Sequence, residues 1–294
     1  MEHLLQDPSL LAVPFFVLFV VLELVALKVL DDGDDHGSTD GSAAGANAPM
    51  MGYAARDSQA SLSMGLGSVV INVFARAAAL VGYTALYAVT PLRLDPRDWW
   101  TWVIALLLVD VLWYSYHRSS HRVRVLWAMH QAHHSSVHFN YTTALRQKWN
   151  PWGELLFWVP LPLLGIPPWM IFFVFSLNLV YQFWVHTETI PKLWRPIELV
   201  FNTPSHHRVH HASDAEYLDR NYGGILIVWD RLFGTFREEQ QRPKYGLTHP
   251  VTTFNPFRLQ YAEFAQMFRE VRAARRWRDR LGYVFAPPGW SPES

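Results

Sequence analysis

Long apolar runs separated by short polar segments dominate this chain, and their lengths are those of membrane-crossing helices. Leu10 to Leu30 (LLAVPFFVLFVVLELVALKVL) is almost wholly apolar over about the ~20 residues a helix needs to cross a bilayer. A cleaved signal peptide fits poorly, because no basic region precedes the run and no small-residue cleavage site follows it closely. Residues 31–61 are rich in Gly, Ser, Ala and Asp, a composition that buries no core and predicts a mobile loop. Leu62 to Val89 forms a second apolar run, interrupted by Asn72 and Arg76. Trp99 to Tyr116 forms a third, with tryptophans where an interfacial belt sits. Trp152 to Val185 is apolar throughout but broken by Pro160, Pro162, Pro167 and Pro168. A straight helix of that length overshoots a bilayer, so the prolines predict a hairpin entering and leaving on one side. Greasy core helices of a soluble protein are usually shorter and carry a polar stripe.

Basic residues orient these spans. The HRSSHRVR segment, His117 to Arg124, abuts the third run, and Arg269, Arg272, Arg275, Arg276, Arg278 and Arg280 crowd the tail. The positive-inside rule places both on the cytoplasmic side, with the loop Pro91 to Asp98 opposite, itself carrying Arg93 and Arg97. The fold class expected is therefore all-α and integral to the membrane. About four transmembrane helices carry a histidine-rich di-metal domain on the cytoplasmic side. Residues 1–98 form the N-terminal transmembrane region, 99–258 the catalytic domain and 259–294 a basic tail.

Composition narrows the chemistry. Only 17% of the 294 residues are charged, against roughly 25% in soluble domains, and the formal net charge of zero lends nothing to nucleic-acid binding. The chain has no cysteine, which excludes disulfides, thiolate zinc sites and iron–sulfur clusters on its own thiolates. Histidine is the anomaly: nine of 14 lie in three short runs.

His117 and His121 are spaced i, i+4, one turn apart on a helix face. His130, His133 and His134 follow as H-x-x-H-H, and His207, His210 and His211 repeat that pattern, with His206 just before. His186 ends the proline-broken run. Any one of these is more often a plain surface or core histidine, but the repetition points to metal. Imidazole suits zinc, copper, iron and nickel, and this many nitrogens exceed the coordination of one ion, which predicts two. Soluble di-iron bundles use Glu-x-x-His pairs, and zinc hydrolases of the H-E-x-x-H type place a carboxylate base between their histidines. Neither pattern occurs here, so redox chemistry with oxygen is the better reading. A zinc-dependent membrane hydrolase and a metal transporter are the rivals. Transport needs polar residues along a path, and those in the spans, Glu23, Asn72, Arg76 and Asp110 among them, are scattered with no evident partners.

At these clusters the chain resembles the fatty acid hydroxylase superfamily, which also contains the sterol desaturases. Its hallmark is H-x-x-x-H, H-x-x-H-H, then H-x-x-H-H after a membrane hairpin. The text looks most like the alkylglycerol monooxygenase branch, through HQAHHSS (His130 to Ser136), TALRQ (Thr143 to Gln147), YQFWVHTE (Tyr181 to Glu188), NTPSHHRVHH (Asn202 to His211), NYGGILIVWDRLFGTF (Asn221 to Phe236) and YGLTHP (Tyr245 to Pro250). It departs from that branch at Arg122, where the branch carries an acidic residue. The resemblance implies two Fe ions that activate oxygen and cleave a lipid C–H bond, by hydroxylation or desaturation, in a multi-pass membrane enzyme. The branch cleaves ether lipids by hydroxylating the carbon beside the ether oxygen; a sterol or carotenoid-type hydroxylase or desaturase is the alternative within the superfamily. Electrons come from outside, since the chain has no flavin fingerprint. A ferredoxin, a cytochrome with its reductase, or a reduced pterin would serve. The cysteine-free text, rich in Ala, Arg and Asp, suits a bacterial inner membrane.

Around the ligands, Asp219, His206 and His249 are candidates to orient the imidazoles, as the partners of metal-bound histidines do. Asn140, Thr143 and Arg146 are candidates for the substrate entrance. Gly223 and Gly224 predict a tight turn or close approach, while Trp229 and Phe233 read as packing. His138, His36 and His3 lack partners at ligand spacing.

Overall fold

Prolines and buried polar residues set where the apolar runs bend in the computed structural model, which describes residues 7–34 and 50–292. Among these residues the structure is helical, with two isolated β-bridges, Phe201 to Leu226 and Ala212 to Tyr245. After a single turn at Pro8–Leu11, α1 spans Val13–Asp34, α2 Ala55–Val89 and α3 Trp99–Arg122. Then follow α4 (Arg124–His130), α5 (Tyr141–Ala144), α6 (Trp152–Phe157), α7 (Pro160–Leu163), α8 (Pro168–Trp184), α9 (Arg195–Val200), α10 (Pro204–His210), α11 (Val228–Leu232), α12 (Pro256–Ala273) and α13 (Trp277–Phe285).

Among the described residues two helices, α2 and α3, are long and apolar enough to cross a membrane; α8 is apolar but only 17 residues long. On α2, Leu66, Val73, Phe74 and Val81 point outward, and α1 exposes Phe15, Val17, Val25 and Val29. Such a continuous exposed apolar belt needs a covering medium.

The polar segment expected to be mobile over residues 31–61 is helical at both ends, in α1 and, from Ala55, in α2. Residues 35–49, and with them His36, lie outside the described residues, as does His3. Nor does the expected tail begin at residue 259, a position inside α12. α12 and α13 pack on α4, where the buried Arg124 pairs with Glu263 and Glu270.

The proline-broken run turns back as expected, but its first arm is itself broken into α6 and α7. Pro160 starts α7 and Pro168 starts α8, the helix position where a missing N–H does no harm. Gly165 makes the turn at φ +87°, and a Cβ there would lie 2.8 Å from the Leu92 carbonyl carbon. Its carbonyl accepts from Leu94 N–H at 2.9 Å, and Leu163 accepts from Thr90 Oγ1 at 2.8 Å. The hairpin tip thus meets the α2–α3 loop at one end of the bundle, and both its feet stand at the other.

The core between α3, α7 and α8 gathers Ala105, Val109, Trp113, Trp158, Ile171 and Phe175. On α3 the buried positions Thr101, Ala105, Val109, Trp113, His117 and His121 recur every fourth residue. The stripe that fixes α3 in the core therefore delivers two imidazoles at its far end.

Candidate metal centre

All nine histidines singled out by spacing converge, in two adjoining groups. His117, His121, His130, His134 and His210 form the first, and His133, His186, His207 and His211 the second; within each group the nitrogens lie within 4.8 Å of one another. The i, i+4 pairs stay together (117/121, 130/134 and 207/211), while the i+3 member of each H-x-x-H-H crosses to the other group. The helix α4 ends at His130 and His133–Ser135 continues as a 3₁₀ turn, which swings His133 toward α8. His134 and His211 stack at 4.3 Å between ring centres, so the groups share a wall.

Backbone carbonyls set the ring orientations. His117 Nδ1 lies 2.9 Å from the Tyr222 carbonyl, His186 Nδ1 2.7 Å from Gln182, His210 Nδ1 3.0 Å from Arg220 and His133 Nδ1 3.3 Å from Arg146. A carbonyl only accepts, so each of these Nδ1 atoms carries its proton and each Nε2 presents a lone pair. Two of these lone pairs, on His186 and His133, face each other 3.3 Å apart, and the other Nε2 atoms crowd together as closely. His117 and His134 Nε2 each lie 3.0 Å from His130 Nε2. In the second group His207 Nε2 stands 3.0 Å from His186 and 3.2 Å from His211, and His186 stands 3.3 Å from His133. The buried Nε2 atoms of His121 and His210 have no hydrogen-bond partner among the described residues.

Lone pairs facing each other in a buried site call for a cation between them. Nitrogens ~2.1 Å from an ion and at right angles to each other lie about 3 Å apart, which is the spacing present. The donor set fits two ions that accept imidazole, and no carboxylate joins either group. Burial holds His186 at about 3 and His210 at about 4. Burial, reinforced by neighbouring imidazoles, depresses His130, His133, His134, His207 and His211 well below the usual imidazole value. These rings are neutral near pH 7, the state in which imidazole binds metal. Aromatic walls close the site: Tyr222 lies 5.3 Å from His121, and Phe139 5.0 Å from His211.

The remaining candidates fall elsewhere. His206 Nε2 is 2.9 Å from Glu198, which also accepts from Leu193 N, Thr203 Oγ1 and Ser205 Oγ. Burial opposes ionisation of Glu198, but His206 and these hydrogen bonds prevail and hold it at about 2. This cluster ties down the start of α10 and leaves His206 outside both groups. Asp219, at φ 59°, is 3.8 Å from His121 Nδ1, too far for a hydrogen bond, and accepts from Arg122 at 3.0 Å. His249 is exposed beside Thr248. Asn140, Thr143 and Arg146 are buried and structural rather than lining an entrance. Asn140 caps α5, Thr143 bonds His138 O, and Arg146 links Asp57, Ser61 Oγ and Ser135 Oγ.

Spacing gave no sign of what holds the 221–230 segment, and with it the Tyr222 carbonyl, against His117. Asp110 accepts from Asn178 Nδ2, Ile225 N, Leu226 N and Trp229 Nε1 between 2.7 and 3.0 Å. Asp230 accepts from Tyr222 N at 2.8 Å, Gly223 N at 2.7 Å and Thr235 Oγ1 at 2.6 Å. Gly224 permits the approach, since a Cβ there would lie 2.7 Å from Trp113 Cδ1. The one visible signal was an aspartate inside an otherwise apolar helix.

Comparison with known proteins bears on this geometry. The family model for fatty acid hydroxylases matches residues 102–235. Human alkylglycerol monooxygenase is 39% identical over 288 residues, covering 96% of this chain and 59% of its own length. The Xenopus tropicalis alkylglycerol monooxygenase is 42% identical over 240 residues, covering 80% of this chain and 53% of its own. An ornithine lipid hydroxylase of Rhizobium tropici is 29% identical over 142 residues, 46% of this chain and 41% of its own. The chain thus spans a little over half the length of the alkylglycerol monooxygenases just described. No solved structure matches it.

Proposed function

The chain belongs to the fatty acid hydroxylase family, and from that premise we propose that it is a membrane di-iron oxygenase acting on the alkyl chain of a lipid, an alkylglycerol in the first instance. The reaction is R–H + O2 + 2 e⁻ + 2 H⁺ → R–OH + H2O, with the electrons supplied by an external donor. The observation that carries the reading is the pair of buried all-histidine groups, each with Nε2 atoms as close as 3.0 Å.

His117, His121, His130, His134 and His210 would hold one iron, and His133, His186, His207 and His211 the other. Bound there, the pair would supply activation of oxygen for attack on an unreactive C–H bond. The protein's own part is position and exclusion. Carbonyls of Tyr222, Gln182, Arg220 and Arg146 lock four rings with Nε2 inward, the role that partners of metal-bound histidines play. Because the rings are already neutral, no proton has to leave before metal enters. Tyr222 and Phe139 keep the histidines out of water, which protects a strongly oxidising site from side reactions.

The membrane reading adds α1 and the α6–α8 hairpin to the two long helices, giving four membrane-embedded elements. The histidine end faces the cytoplasm, with the Arg-rich α12 and α13 beside it.

The test is oxygen stoichiometry. Iron-loaded protein given a 1-O-alkylglycerol and reductant consumes one O2 per lipid converted and converts none without oxygen. Conversion that proceeds anaerobically would replace this reading with a hydrolase.

A further inference from the structure

Beside the metal centre a surface cavity of about 320 Å³ is lined by Arg118, Arg122, Arg220, Asp219, Tyr222 and Phe233, among others. Its charge is unbalanced. The buried arginines have carboxylate partners: Arg208 pairs with Glu239 at 2.7 Å, and Arg124 with Glu263 at 2.7 Å. In the cavity Asp219 is taken by Arg122 at 3.0 Å. Arg118 Nη1 donates only to Tyr114 Oη at 3.2 Å, and Arg220 Nη1 to the Gly234 carbonyl at 3.4 Å. Neither has a carboxylate partner among the described residues. Three guanidiniums against one carboxylate leave an excess of two positive charges in one concavity.

The position is as informative as the charge. Tyr222 belongs to the lining, and its ring centre lies 5.3 Å from that of His121 and 5.8 Å from that of His210. The cavity and the first histidine group thus share a wall residue. Arg118 and Arg122 stand one turn apart at the end of α3, where a membrane-crossing helix meets the lipid headgroups. Phe233 and Leu218, both exposed, add an apolar rim. Guanidinium forks favour phosphate because two N–H groups meet two oxygens at once.

We propose that this cavity binds a phosphate group, and that the phosphate is the headgroup of a single-chain lipid presented to the metal centre. This deepens the oxygenase reading and rests on it for the word substrate, though not for binding. Accordingly the experiment reads binding rather than turnover. Iron-loaded full-length protein in maltoside detergent, which contains no phosphate, is titrated with radiolabelled 1-O-hexadecylglycerol 3-phosphate and, separately, with uncharged 1-O-hexadecylglycerol. The phosphate-bearing lipid binds at least about tenfold more tightly, and only its binding weakens as salt is raised. The double variant Arg118→Gln/Arg122→Gln abolishes the preference while leaving the uncharged lipid and the iron content unchanged; Arg118→Gln alone gives a partial loss and serves if the double variant does not fold. Glycerol 3-phosphate competing only far above the lipid's Kd identifies a lipid headgroup; competition at equal concentration identifies a soluble phosphate ester, keeping the anion site and removing the lipid. Equal binding of the two lipids, or a preference that survives both variants, overturns the proposal. If binding behaves as described but neither lipid drives oxygen consumption, it is the oxygenase reading that has failed.

Discussion

Replacing Asp110 by Asn tests whether the second layer of the site, and not only its ligands, sets the metal geometry. The side chain is fully buried and nearly isosteric with its replacement. Oδ1 accepts from Asn178 Nδ2 and Ile225 N, both at 2.7 Å, and Oδ2 from Leu226 N at 3.0 Å and Trp229 Nε1 at 2.8 Å. An amide keeps one accepting oxygen and turns an NH2 toward two donors, so two hydrogen bonds to a charged acceptor are lost. At roughly 1.5–3 kcal/mol each, the loss is about 3–6 kcal/mol. It falls on the segment whose Tyr222 carbonyl orients His117. Detergent-purified Asp110→Asn protein is therefore expected to melt at least ~6 °C lower and to retain fewer than two irons per chain after ferrous reconstitution. Asp95→Asn is the control, because its pair with Arg97 is exposed and screened by solvent. A wild-type midpoint and full iron content in Asp110→Asn would refute the reasoning.

Removing a ligand from either group, by His210→Ala or His211→Ala, lowers iron from two per chain to about one, whereas His206→Ala keeps both irons and loses stability through Glu198; metal analysis beside a melting curve checks the contrast. The buried histidines have folded pKa values below the ordinary 6.5, about 3 for His186 and about 4 for His210. They are neutral when folded and take up protons when unfolded, so metal-free protein is stable above pH 6.5 and loses stability as pH falls from there toward 3–4. Chemical denaturation of the apo form at stepped pH measures this, and a flat profile would contradict it. Gly224→Ala drives a methyl against Trp113 and Asn178 and is expected to destabilise by about 1–3 kcal/mol, visible as a lower melting midpoint and weaker iron retention.

The convergence of the nine candidate histidines was legible because i and i+4 positions on helices have few places to go. How the rings divide between two ions was not legible, since it turns on α4 ending at His130 and on where the Tyr222 and Gln182 carbonyls lie. Helical character was readable from the long apolar runs, and the hairpin from its four prolines. The partners of Glu23 and Asp110 were not. Glu23 accepts from Tyr141 N at 2.9 Å and from Tyr53 and Thr187 hydroxyls, contacts made across more than a hundred residues of chain for two of the three. Buried acids in apolar helices advertise that a partner exists without saying which. His249 and Arg146 show the converse: a residue inside a resembling motif can be exposed, as His249 is, or locked into scaffold, as Arg146 is by Asp57.

The most direct test of the account is the metal itself. Protein reconstituted anaerobically with ferrous iron, freed of excess metal and examined by iron analysis and Mössbauer spectroscopy before and after oxygen, should hold two irons per chain. Those irons should become magnetically coupled and oxidised when oxygen is admitted. A single ion per chain, or two irons that remain ferrous in oxygen with lipid and reductant present, would contradict the di-iron oxygenase.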